Sequence, residues 1–211
     1  MPDDVTMPDE NTPRNVKRQA HGRRLALGLT WLRLALAPVL PVLALGRAAP
    51  WLLAALLAVG FLSDVFDGVI ARRFGVADAS LRSLDSTVDT AFYAGAALVA
   101  WLRHGDALAA CLPGIVAVLV TMLLDHLAEL YRFKRLASYH MYSAKLWGLL
   151  LFVALFTLFA GGPWWPLAAA LVVGTLSNVE SFAATMVLPA WRHDVPTFRA
   201  ALRIRSASRP R

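Results

Sequence analysis

Apolar residues fall into six blocks separated by short polar or Gly/Pro-containing breaks, most of them near the length that crosses a bilayer. About 20 residues at 1.5 Å rise cover the ~30 Å hydrocarbon core, so each block reads as a transmembrane helix. The first, LALGLTWLRLALAPVLPVLALG, carries Pro38 and Pro41, which kink a helix but are tolerated among bundle neighbours. The second starts at Pro50, suited to a helix's first turn, and runs to about Arg72. The third covers about Leu84 to Arg103, the fourth about Leu108 to Tyr131, and the fifth about Leu146 to Phe159. Gly161, Gly162 and Pro163 then make a tight turn before Trp164 and Trp165, residues suited to a membrane interface. The sixth, PLAAALVVGTLSNVESFAATMVL, ends at Pro189. The pattern predicts an all-α polytopic membrane protein, a bundle of six transmembrane helices.

The polar remainder divides the chain into a transmembrane domain at 27–190, an N-terminal arm at 1–26 and a basic tail at 191–211, expected to be only partly ordered. Within the arm, residues 1–13 are acidic and proline-containing and read as disordered, with no signal-peptide pattern. Between the fourth and fifth spans lies the basic, amphipathic stretch RFKRLASYHMYSAK.

Composition agrees with the membrane reading: 58% of the residues are hydrophobic, against roughly 45–50% in soluble domains. Cys111 alone excludes an internal disulfide framework and a cysteine metal cluster. The net charge of +7 does not point to nucleic acid, because no soluble module carries it; anionic lipid headgroups are the expected partner. Cations also set the orientation. Five sit in the N-terminal arm, three between spans two and three, four between spans four and five, and six in the tail, while Arg47 and Arg103 fall on the opposite side. The positive-inside rule then predicts cytoplasmic termini and an even span count.

One stretch, SDVFDGVIARRFGVADASLRSLDSTVD from Ser63 to Asp89, sets four carboxylates against apolar runs. Asp64 and Asp67 are three apart, Asp85 and Asp89 four apart, so each pair lies on one helical face and the two faces can meet across a short turn. An acid at membrane depth costs about 2.5 to more than 10 kcal/mol and is kept by a partner or a function. Arg72, Arg73 and Arg82 are candidate ion-pair partners; the alternative is a hard divalent cation, held by carboxylates together with substrate phosphates. Arg33, the lone charge in span one, either snorkels to the interface or belongs to this site. His126 and His140 are given no role, and Asp125, Glu129, Asn178 and Glu180 are expected to bond other helices.

Asp64-x2-Asp67-Gly68-x2-Ala71-Arg72, followed by Asp85-x3-Asp89, resembles the signature of the CDP-alcohol phosphatidyltransferases, D-x2-D-G-x2-A-R-x8-G-x3-D-x3-D, at seven of its eight defining positions. Thr30 and Arg33 resemble the family's L-T-x2-R stretch in span one. Leu81 stands where the family usually has its second glycine, and Leu27 where many members have an asparagine. The resemblance implies transfer of a phosphatidyl group from a CDP-linked lipid to an alcohol, with release of CMP, in a multi-pass protein of the cell's inner or plasma membrane. It implies that Asp64, Asp67, Asp85 and Asp89 bind Mg2+ or Mn2+, two ions in all, and that Asp89 also serves as general base. By the same resemblance Thr30, Gly68, Ala71, Arg72 and Asp78 contact the CDP moiety, and the protein is a homodimer.

Arg132, Arg135 and Lys145 read either as a topology and headgroup patch or as acceptor-binding groups. The latter suits glycerol 3-phosphate or an inositol phosphate. Two other readings of the chain stay open: a transporter or cation channel whose acids line a path, and a non-catalytic relative of the family.

Overall fold

A computed structural model describes residues 13–76, 79–136, 139, 141–192 and 194–207, with the side chains of 13–15, 79–80, 82–83 and 86 outside the description. Asp78 and His140 fall outside the described residues. The described chain is helical, with no strand: α1 Pro13–Leu45, α2 Pro50–Phe74, α3 Ala79–Ala110, α4 Leu112–Phe133, α5 Tyr142–Phe159, α6 Trp165–Val187 and α7 Phe198–Ala207. Five of them, all but α3 and α7, are long and apolar enough to cross a membrane. The protein is an integral membrane protein. The 32-residue α3 has the length but is diluted by Asp85, Asp89 and Arg103.

The helices group into two compact units, Met1–Leu102 and Arg103–Arg211. In the first, α1 begins at Pro13, well ahead of the apolar run, and continues through Pro38 and Pro41. The arm is helical because it has something to lie against. His21 meets Phe74 edge-on at 6.5 Å, Arg18 lies 5.5 Å above the same ring, and Gly22 packs onto it. Pro50 opens α2, whose N-terminal N–H groups need no intrahelical partner, and left-handed Gly75 (φ 66°) ends it.

Two close approaches set the register of α3. A Cβ on Gly60 of α2 would enter the Phe92 ring, and one on Gly95 would enter the carbonyl oxygen of Ala37 in α1. Around these contacts the fully buried core holds Leu40, Leu53, Leu57, Phe92, Ala96 and Val99.

In the second unit α6 packs against α4, α5 and α7. The predicted start of the fourth span at Leu108 is corrected. Helical backbone breaks at His104 (φ −138°, ψ 39°), whose ring stacks on Phe159 at 6.1 Å, and the next helix starts at Leu112 with Pro113 in its first turn. The polar side chains of α4 and α6 join them: Asn178 donates to the Val118 carbonyl and to Thr121, and Thr185 to Asp125. Tyr139 shares a 2.9 Å hydroxyl bond with Thr185, and burial holds its phenol above the usual tyrosine range.

The tail, expected to be only partly ordered, forms α7 over about half of its length. Thr197 and Glu180 accept the N–H groups of Ala200 and Phe198 at its start. Ala201, Phe198, Ala200 and Ile204 then pack on Tyr139, Met141, Leu188 and Val195. Residues 208–211 lie outside the described residues.

Candidate active site

The close contacts of the first unit place its charged residues one turn away, on the same level. Asp64 follows Gly60 by four residues on α2, Asp89 precedes Phe92 by three on α3, and Arg33 precedes Ala37 by four on α1. Helical spacing of three and four keeps each on the face that makes the contact. The four carboxylates of the sequence pattern therefore converge, as the spacing predicts.

What they converge on is Arg33. Its Nη1 donates to Asp64 Oδ1 at 2.9 Å and to Asp89, and its Nη2 to Asp85 Oδ1 at 2.8 Å and to Asp67. Each terminal nitrogen thus ties one acid of α2 to one of α3. Of the two readings left open for Arg33, the structure favours the one inside the cluster over the one at the interface, since its side chain is 1% exposed. Arg72 and Arg73 are exposed, and the Arg82 side chain is not among those described. A spacing pattern marks Arg33 as the only charge in an apolar run but does not say which way it turns. The additional signal is the row Ala26, Thr30, Arg33 and Ala37, spaced 4, 3 and 4 apart, which makes a narrow small-residue face toward α2 and α3.

Asp67 forms the floor of the cluster at 6% exposure, while Asp64, Asp85 and Asp89 are each about a third exposed. One carboxylate oxygen from each of Asp64, Asp67 and Asp85 lies within 4.8 Å of the others, with Asp89 on the nitrogen that holds Asp64. All donors are anionic oxygens, the set that Mg2+ and Mn2+ prefer, and the five side chains with Arg33 carry a net −3. The residues fit a divalent metal, and the partly exposed rim leaves a side from which ions and phosphates can enter.

Of the nucleotide candidates among the described residues, Thr30 lies on α1 and Gly68, Ala71 and Arg72 lie on α2. Thr30 is buried and donates to the Ala26 carbonyl, leaving its oxygen lone pairs free. Arg72 folds back so that its guanidinium sits 3.4 Å from where a Cβ on Gly68 would be, which puts a cation over a bare stretch of helix. Ala71 is packed over by Leu81: Ala71, Ala26 and Leu81 form a buried cluster, and Leu81 is 7% exposed. A glycine at 81 would leave the space over Ala71 empty.

The acceptor candidates belong to the second unit. Both terminal nitrogens of Arg132 donate to the Met186 and Leu188 carbonyls at 2.9 Å, closing the end of α6. Arg135 stacks on Trp191 at 5.0 Å and Lys145 on Tyr142 at 5.6 Å. Both keep charge to offer.

Compared with known proteins, residues 23–190 match the family model described as CDP-alcohol phosphatidyltransferase. No curated protein and no solved structure matches the chain.

Proposed function

The chain belongs to the CDP-alcohol phosphatidyltransferase family, and from that premise we propose that it transfers a phosphatidyl group from CDP-diacylglycerol to a hydroxyl acceptor, releasing CMP. The observation that carries this reading is the convergence of Asp64, Asp67, Asp85 and Asp89 within one three-helix unit, open on one side.

Those four aspartates would hold two Mg2+ or Mn2+ ions, which when bound polarise the oxygens of the donor's diphosphate. Asp89 takes the proton of the acceptor hydroxyl. The freed oxygen attacks the lipid-side phosphorus, a new P–O bond forms there, and the anhydride oxygen leaves with CMP. Arg72 and bare Gly68 receive the nucleotide phosphate, with Thr30 and Ala71 beside it. Asp78 is assigned to the nucleotide by its place in the sequence alone. Arg135 and Lys145, with Arg132, are proposed for the charged end of an acceptor of the glycerol 3-phosphate or inositol phosphate kind, on the basis of charge.

In the membrane, α3 serves as the sixth span, with both termini and the site on the cytoplasmic side, because the cation-rich segments then share that side. The protein works as a homodimer among anionic lipids.

A cation channel is the competing class, and a guanidinium centred among the acids weighs against a cation path. The separating experiment is cytidine nucleotide binding to protein in nanodiscs, with and without Mn2+. Binding that requires the ion supports the transferase; binding of neither nucleotide nor ion, or binding of the ion alone, removes it.

A further inference from the structure

Arg33 does more in this geometry than pair with an acid. Its side chain is 1% exposed, all four carboxylates share its two terminal nitrogens, and its buried Nε has no hydrogen-bond partner. Arginine frequently pairs with a single carboxylate through two parallel N–H···O bonds. Here each acid receives a single bond and the charge is spread over two helices instead.

Resting on the metal reading above, we propose that Arg33 is a built-in counter-ion that competes with the divalent ions for the four carboxylates and then makes the loaded site net positive. Without metal, four carboxylates facing one another carry −4, a charge that would drive α2 and α3 apart; Arg33 reduces it to −3 and holds the oxygens together. When two divalent ions enter, the same guanidinium shifts the sum from 0 to +1, which favours a diphosphate over water or a neutral ligand. Nothing in this requires Arg33 to change protonation, since its charge is permanent. It acts as a positioning residue. The cost of its presence is weaker metal binding, and the return is tighter anion binding.

The two consequences have opposite signs, which a merely structural residue would not produce. Mn2+ binding to the full-length protein in neutral-lipid nanodiscs, followed by electron paramagnetic resonance without nucleotide, is expected to tighten by roughly tenfold or more in Arg33→Gln, because a like charge a few ångströms from the ion is gone. CMP binding at saturating Mn2+ is expected to weaken by roughly tenfold in the same variant, and Arg33→Lys, which keeps the charge, should stay within about threefold of the original on both axes. Mn2+ affinity that is unchanged or weaker in Arg33→Gln overturns the proposal, as does a Gln variant that cannot be kept folded even with Mn2+ present throughout, since the ion is held to take over the guanidinium's charge. If the original protein itself binds no Mn2+, the metal reading of the site fails, a result distinct from equal binding by original and variant.

Discussion

Leu81 of α3 packs onto Ala71 of α2, and Ala26 of α1 completes the buried cluster. The side chain fills space beside a position proposed to meet the nucleotide, at the place where the family usually has glycine. Leu81→Ala is expected to cost about 2–5 kcal/mol of stability, the range for emptying a buried leucine site. Leu81→Gly should cost more, and should also bind CMP more tightly in the presence of Mn2+ because the space beside Ala71 opens. Thermal unfolding and titration calorimetry on the two variants check both; unchanged CMP affinity in Leu81→Gly means that the nucleotide does not reach Ala71.

Gly95 meets the Ala37 carbonyl so closely that a single methyl has nowhere to go, and backbone cannot step aside as a side chain does. Gly95→Ala is predicted to lower stability by about 1–3 kcal/mol and to tighten Mn2+ binding in the absence of nucleotide, because separating α1 from α3 carries the competing guanidinium of Arg33 away from Asp85 and Asp89. Gly28→Ala is the matched comparison. A Cβ there meets nothing within 4 Å, so helix propensity alone should leave stability unchanged or raise it by up to ~1 kcal/mol.

Much of this arrangement can be read before any coordinates. Apolar blocks bounded by Pro50, by Gly161–Gly162–Pro163 and by Pro189 place α2 and α6 closely, and the i+3 and i+4 spacing of the acids brings them to one spot. Three features escape that reading. Arg33 sits in an apolar run whether it points to lipid or to the acids, and only the small-residue contact of α1 with α3 turns it inward. The polar segment Arg103–Asp106 marks the break at His104, but α3 resumes beyond it to Ala110 and the boundary with α4 falls at Cys111, inside an apolar run. The basic tail has a composition suited to disorder, yet the apolar side of α7 finds the surface made by Tyr139, Met141 and Leu188.

Arg132 closes the C-terminal end of α6 through two carbonyls that would otherwise lack a donor. Arg132→Gln should lose about 1–3 kcal/mol and increase hydrogen exchange at Ala184 to Leu188, since hydrogen bonds from a charged group are worth about that much. Arg135→Gln, which gives up only a stacking contact with Trp191, should lose about 1 kcal/mol or less. A raised KM for acceptor in either variant, measured beside stability, shows that the residue also binds substrate. An altered stability with unchanged KM confines it to the scaffold.

Asp89 shares Arg33 Nη1 with Asp64 and is about a third exposed, so it is not sealed within the cluster. Asp89→Asn keeps size and shape but cannot take a proton, and turnover should fall by ~10²–10⁴-fold while Mn2+-dependent CMP binding stays within a few-fold. Turnover equal to the original protein removes Asp89 from the proton transfer.

Release of CMP from CDP-diacylglycerol by the purified protein in nanodiscs, run across a panel of alcohols with Mg2+, with Mn2+ and with chelator, tests most directly whether the aspartate quartet on α2 and α3 drives phosphatidyl transfer. CMP and a new phospholipid are expected in equal amounts with one acceptor class, abolished by chelator, restored by either ion, and absent in Asp67→Asn. Release that persists in chelator or in Asp67→Asn, or no release with any alcohol, would contradict it.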